Sequence, residues 1–209
     1  MLKNQFPKQF FVTGTDTDVG KTVVSAMLTL GLNASYWKPI QSGTLPCTDT
    51  EWVKKMTQLP PSHFFPEAYR LSQPLSPHAS ALHDKIKIDL EKIVMPNLPV
   101  ESSHLIVEGA GGVLVPLNDK KMMIDLIKKL NIPVVVVCRS TLGTIHHTLL
   151  TLQHLRLHEI PVFGVIMNGP KNEGNRQAIT HYGKVNVLAE LEPIQDISKA
   201  TLLQVFKNI

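Results

Sequence analysis

Short apolar runs alternate along most of the chain with segments of helical periodicity. Runs at 10–13, 35–38, 105–108, 133–138 and 162–167, with a weaker one at 185–188, read as strands. Most are apolar on both faces, the pattern of parallel strands covered by helices on each side. Segments 22–32, 50–57, 89–96, 122–130, 145–157 and 175–182 read as helices. The alternation predicts an α/β fold: a single-domain doubly wound, mainly parallel sheet with helices on both faces, covering residues 1–209. Ligands of such sheets bind beyond the carboxyl ends of the strands. Each polar motif below falls at such an end.

One stretch breaks the alternation. Pro60, Pro61, Pro66, Pro74 and Pro77 crowd residues 59–77, and proline restricts helices and central strands alike. The segment reads as irregular and wrapped around the edge of the domain, not as a linker.

Composition narrows the class without deciding it. A chain of 209 residues with 43% hydrophobic content buries a real core in one domain. The net charge of +4 suits an anionic ligand. No dense Lys/Arg stripe interleaved with aromatics points to nucleic acid; Lys120-Lys121 and Lys128-Lys129 read as the solvated face and end of a helix. Cys47 and Cys138 lie far apart with no metal-like spacing, which fits a reduced, cytoplasmic protein. Residues 1–7 have no long apolar run, and nothing approaches a membrane span.

The chemistry begins at Phe10-Phe11-Val12-Thr13-Gly14-Thr15-Asp16-Thr17-Asp18-Val19-Gly20-Lys21-Thr22. Strand, tight turn and helix start follow one another there, the layout of a phosphate-binding loop. Backbone N–H groups and a helix N-terminus converge on a polyphosphate in such loops. Lys21 would reach the β- and γ-phosphates, and the Thr22 hydroxyl would ligate magnesium. Five residues, not four, separate Gly14 from Gly20.

Further strand ends supply partners. Lys38, stopped by Pro39 and followed by the Ser42-Gly43 turn, sits at the mouth of the sheet, placed to hold an anionic group. Asp49 precedes a helix and reads either as an N-cap or as a magnesium ligand. Glu108 ends an apolar strand before Gly109-Ala110-Gly111-Gly112, where phosphate-loop enzymes place a second magnesium carboxylate. Asn168 ends another strand and can exchange hydrogen bonds with an adenine edge. Ser76-Pro77-His78 reads as a capped helix start. His154 and His158 stand four apart but lack the glutamate of a zinc-protease helix.

These residues together resemble the dethiobiotin synthetase family, ATP-dependent cyclising ligases of biotin synthesis. The likeness rests on 13–22, on Lys38-Pro39 with Ser42-Gly43, on Ser76-Pro77-His78 and on Val107 to Gly112. The surplus loop residue is that family's own form. The resemblance implies three small-molecule substrates: 7,8-diaminononanoate, CO2 or bicarbonate, and ATP, with Mg2+. It makes Lys38 and Lys21 the catalytic groups, and Thr22, Asp49 and Glu108 the metal ligands. Nucleotide contacts fall to Thr15, Thr17, Asp18, Val19, Gly20, Lys21, Thr22, Asp49, Glu108, Gly109, Ala110 and Gly111. Asn168 and Gly169 would face the adenine, and Glu192, Pro193 and Ile194 align loosely with the family's nucleotide-edge segment. Ser42 would contact the reacting end of the diamine. In the implied homodimer, Gly143, Thr144 and Ile145 receive its carboxylate through backbone N–H groups.

Two other classes share parts of this pattern. A cobyrinic-type amidoligase usually carries a glutaminase domain, for which the chain leaves no room. A partitioning or membrane-positioning switch ATPase has an additional lysine early in the loop, where this chain has Thr13, Thr15 and Asp16. Segment 201–209 is too short and too weakly charged to hold a membrane.

Overall fold

Val134-Val135-Val136-Val137-Cys138 has no polar face, and in a computed structural model of the chain it is a strand buried on both sides in the interior of a parallel sheet. The structure describes residues 5–99 and 102–208. Met1 to Asn4, part of the N-terminal segment read as lacking an apolar run, and Ile209, the end of the tail segment, lie outside the described residues.

The first half comprises β1 (Gln9–Gly14), α1 (Lys21–Leu32), β2 (Ser35–Trp37), β3 (Ile40–Ser42), α2 (Asp49–Thr57), β4 (Phe64–Phe65), β5 (Tyr69–Leu71) and α3 (Pro77–His83). The second comprises β6 (Leu105–Gly112), α4 (Met123–Leu130), β7 (Val134–Arg139), α5 (Thr144–Leu157), β8 (Val162–Asn168), α6 (Glu173–Gly183), β9 (Val187–Leu191) and α7 (Lys199–Lys207). Seven strands pair in the order β4-β2-β6-β1-β7-β8-β9, every pairing parallel, while β3 and β5 form a small sheet of their own.

The two-residue period of a strand sorts the core into two layers. Phe10, Val12, Tyr36, Ile106, Val135 and Val137 pack with Val24, Met27 and Leu28 of α1. Phe11, Trp37, Leu105, Val107, Val134 and Val136 face Ile124, Leu126 and Ile127 of α4 on the other side. Each fully buried large side chain contributes roughly 1.5–3 kcal/mol. Continued to the strand ends, the same period puts Lys38 and Glu108 on the α1 side, two residues beyond Tyr36 and Ile106, which are in register.

Three readings of the pattern are corrected. Segment 89–96 is not a helix: only the 3-10 turn Leu90–Lys92 forms. Pro96 bars the α conformation at Met95, β-branched Ile93 and Val94 disfavour it before that, and Asp89 caps a single turn through Glu91 N at 3.0 Å. Asp49 is not an N-cap. Thr48 caps α2 in a capping box with Glu51, which frees the Asp49 carboxylate. Segment 59–77 is not wholly irregular, since Phe64–Phe65 adds the edge strand β4 and Tyr69–Leu71 pairs with β3.

The C-terminal helix α7 has no counterpart in the pattern reading. Ser198 caps it, and it packs on α1, where a Cβ on Gly31 would lie 2.1 Å from the Phe206 ring.

Candidate nucleotide and substrate site

The carboxyl ends of β1, β2 and β6 lie side by side, and the connections leaving them build one cleft of about 630 Å³. Of the residues singled out in the sequence, Thr17, Asp18, Gly20, Lys21, Thr22, Lys38, Ser42, Asp49, Ala110 and Gly111 line it, together with Gln41, Cys47 and Ser76-Pro77.

The phosphate loop is held open by its own geometry. Gly20 has φ +93°, and a Cβ there would stand 2.1 Å from Asn168 Nδ2. Gly14 admits the Lys21 side chain, whose Nζ would be 3.0 Å from an added Cβ. The surplus residue is absorbed at Asp18, which takes the left-handed conformation at φ 55°, a region aspartate visits more readily than most residues. Val19 turns inward and joins the core beside α1. Lys21 folds back to donate to Asp16 O at 3.0 Å. Burial lowers its pKa, only partly offset by Glu108, so the nucleotide-free loop holds a cation that phosphate would stabilise.

Beneath the loop lies a charged cluster. Thr22 Oγ1 approaches Glu108 Oε1 at 2.9 Å and Asp49 Oδ1 at 3.2 Å. Lys38 Nζ pairs with both carboxylates, at 3.0 Å from Glu108 Oε1. Glu108 is fully buried. Burial alone would lower the Lys38 pKa, but Glu108 and Asp49 outweigh it and raise it. For Asp49, burial is outweighed by Lys38, which holds the carboxyl below the usual range. Hydroxyl and carboxylate oxygens are the hard donors magnesium takes, together with phosphate and water. Among the described residues no three His, Cys, Asp or Glu side chains group to hold a metal. The set of Thr22, Asp49 and Glu108 therefore fits a cation that arrives with phosphate oxygens.

Pattern reasoning missed two residues in this cluster. Tyr36 donates to Glu108 Oε2 at 3.0 Å from a fully buried ring. Burial and then the Glu108 carboxylate push its phenol well above the ordinary value, so it stays a donor. The signal was available: Tyr36 stands two residues before Lys38, on the same strand face. Gln41 accepts from Asp49 N at 3.1 Å and donates to Ser42 O and Gly43 O at 3.1 and 2.9 Å. It ties the α2 start to the turn that carries Ser42. Ser42 Oγ is buried and has no hydrogen-bond partner among the described residues.

The remaining predicted residues sit elsewhere along the same edge. Thr15 lines a neighbouring cleft with Gly112, His147 and Leu150. Gly109 closes against Phe11, whose ring an added Cβ would meet at 2.7 Å. Asn168, at the end of β8, donates to Val19 O at 3.0 Å, and Gly169 N donates to Leu191 O at 2.8 Å. Glu192, Pro193 and Ile194 follow the end of β9 beside them, with Glu192 paired to Lys171 at 3.2 Å. Gly143 (φ +90°), Thr144 and Ile145 open α5. They lie outside the main cleft.

A parallel sheet whose first strand feeds a glycine-rich loop and a helix with Lys21-Thr22 at its start defines a phosphate-loop nucleotide-binding protein. Residues 8–201 match the AAA domain family. The chain is 52% identical to the ATP-dependent dethiobiotin synthetase BioD of Paramagnetospirillum magneticum, covering 92% of this chain and 91% of the relative. It is 46% identical to the enzyme of that name from Lawsonia intracellularis, over 93% and 92% of the two chains. This chain belongs to the ATP-dependent dethiobiotin synthetase family. It is also 45% identical to the biotin biosynthesis bifunctional protein BioCD of Bordetella avium, of which it covers 43%. A ParA family ATPase from Chlorobium tepidum shares the fold, with a TM-score of 0.55 at 12% identity, over 95% of this chain and 91% of that one.

Proposed function

We propose that the chain, as a single ligase domain over residues 1–209, converts 7,8-diaminononanoate, CO2 and ATP to dethiobiotin, ADP and phosphate. The observation that carries this reading is that Lys38 lines one cleft together with the phosphate loop and the turn bearing Ser42. An anionic carbamate is the intermediate such a lysine suits. One amine of the diamine adds to CO2 and loses a proton. The resulting carbamate oxygen attacks the γ-phosphorus of ATP, and ADP leaves. The second amine then attacks the carbonyl carbon of the mixed anhydride, expelling phosphate and closing the ureido ring.

No side chain need act as a nucleophile, because positioning and charge neutralisation carry phosphoryl transfer. Lys21 would hold the β- and γ-phosphates, Lys38 would orient the carbamate, and Ser42 would bind beside it. Thr22, Asp49 and Glu108 would hold Mg2+, which when bound neutralises phosphate charge. Asn168, Gly169 and residues 192–194 would take the adenine. Gly143, Thr144 and Ile145 would receive the substrate carboxylate from a second subunit. Leu142 and Leu150, exposed at the start of α5 and along it, support a homodimer there. A cytoplasmic location belongs to the same proposal. No helix among the described residues is long and apolar enough to cross a membrane.

The test is phosphate release from MgATP with and without diamine and bicarbonate, with dethiobiotin identified by mass spectrometry. Release that needs both co-substrates is the expected result. Release that ignores the diamine, or that a protein partner stimulates, would replace this reading with a switch ATPase.

A further inference from the structure

We infer that Tyr36 is a positioning residue that fixes Glu108 as a one-oxygen ligand and so tunes the site toward Mg2+ over larger cations. The inference rests on the magnesium reading of Thr22, Asp49 and Glu108.

Glu108 brings two oxygens to a place without solvent. Oε1 faces the cleft side, where Thr22 Oγ1 and Lys38 Nζ lie at 2.9 and 3.0 Å. Oε2 is turned the other way and takes the Tyr36 hydroxyl at 3.0 Å. The phenol is not a mobile partner. Its ring is fully buried, its strand pairs with β6, and Tyr36 is in register with Ile106, two residues behind Glu108. Rotating the carboxylate to present both oxygens to the cleft would break that bond and leave a buried hydroxyl unpaired.

A carboxylate restricted to one oxygen matches the near-ideal octahedron that Mg2+ demands. Ca2+ accepts bidentate carboxylates and higher coordination numbers. Groups that hold a metal ligand from behind typically change metal affinity 10–100-fold when removed. A phenylalanine keeps the ring and deletes only the hydroxyl.

The experiment measures ATP-analogue binding against Mg2+ and against Ca2+ in the wild type and in Tyr36→Phe, with thermal midpoints and metal-free nucleotide binding as controls. The variant should need about 10–100-fold more Mg2+ for half-saturation. Its Ca2+ requirement should move less than about threefold, a smaller effect because a freed carboxylate suits Ca2+. An unchanged Mg2+ requirement, or Mg2+ and Ca2+ shifting together, overturns the inference. If Tyr36→Phe proves unstable alone, the same titration compares Glu108→Gln with the double variant, in which the buried phenylalanine faces a neutral amide and not a carboxylate. Tyr36 acting through Glu108 adds nothing further in that background, and any further shift in the double variant overturns the inference. A wild type whose nucleotide binding ignores divalent cations would remove the magnesium reading itself, an outcome distinct from a failure of Tyr36 alone.

Discussion

Lys38 Nζ and Thr22 Oγ1 meet on the same buried oxygen, Glu108 Oε1, at 3.0 and 2.9 Å. A carboxylate buried without a cation is costly, so in the nucleotide-free protein Lys38 supplies the counter-charge. On the function proposed above, a divalent ion arriving with ATP would take over that task and leave Lys38 free to serve the carbamate.

Lys38→Ala should therefore have two separable effects. Diamine-dependent turnover falls by about 100-fold or more, with nucleotide binding retained. The nucleotide-free protein loses roughly 3–5 kcal/mol, because Asp49 and Glu108 are left uncompensated. Added Mg2+ then raises the variant's melting temperature more than the wild type's. Unchanged turnover removes Lys38 from the chemistry, and equal Mg2+ stabilisation removes its counter-charge role.

Lys21→Met separates binding from stability in the opposite sense. Burial lowers the Lys21 pKa below its ordinary value, so its charge opposes folding until phosphate arrives. The nucleotide-free variant should melt no lower than the wild type while ATP affinity collapses. Calorimetry and equilibrium binding check both. A drop of more than about 4 °C, near 1–2 kcal/mol for a domain of this size, would show that the bond to Asp16 O outweighs burial.

Asn168 offers a test of how the loop is held. Its Nδ2 is committed to Val19 O at 3.0 Å, which leaves the side-chain oxygen for a base. Asn168→Ala should weaken binding of inorganic tripolyphosphate as well as ATP, each by about fivefold to tenfold for one lost hydrogen bond. Loss confined to ATP would make it a base reader with no part in holding the loop.

Asp84 gives a pH signature away from the site. Hydrogen bonds from the Ser72 hydroxyl and backbone N–H, and from His83, bring its carboxyl down to about 2. A folded value below the unfolded one stabilises the protein above about pH 4 and is lost as pH falls toward the folded value. Asp84→Asn should thus be less stable than the wild type at pH 7, with the gap closing between about pH 4 and pH 2. Urea midpoints across that range decide; a gap independent of pH excludes the charge as its source.

Patterning alone reached six of the seven strands of the main sheet and the phosphate loop, and it singled out Lys38 and Glu108 at the polar ends of apolar runs and Asp49 before a helix. It failed where partners decide the outcome. Tyr36 reads as one more strand residue until Glu108 is placed beside it. The α7 segment is short, and what orders it is a Phe206 ring seated on a glycine of α1, nearly the whole chain away. The run 89–96 shows the opposite error, where helical spacing was present but Pro96 stopped the turn from propagating.

The Gly31 notch that receives Phe206 gives α1 a clamp at each end. Ten residues, about 15 Å of helix, separate it from Lys21. A side chain larger than hydrogen at residue 31 would drive the Phe206 ring off α1, so the last helix of the described chain is held by what its first helix lacks.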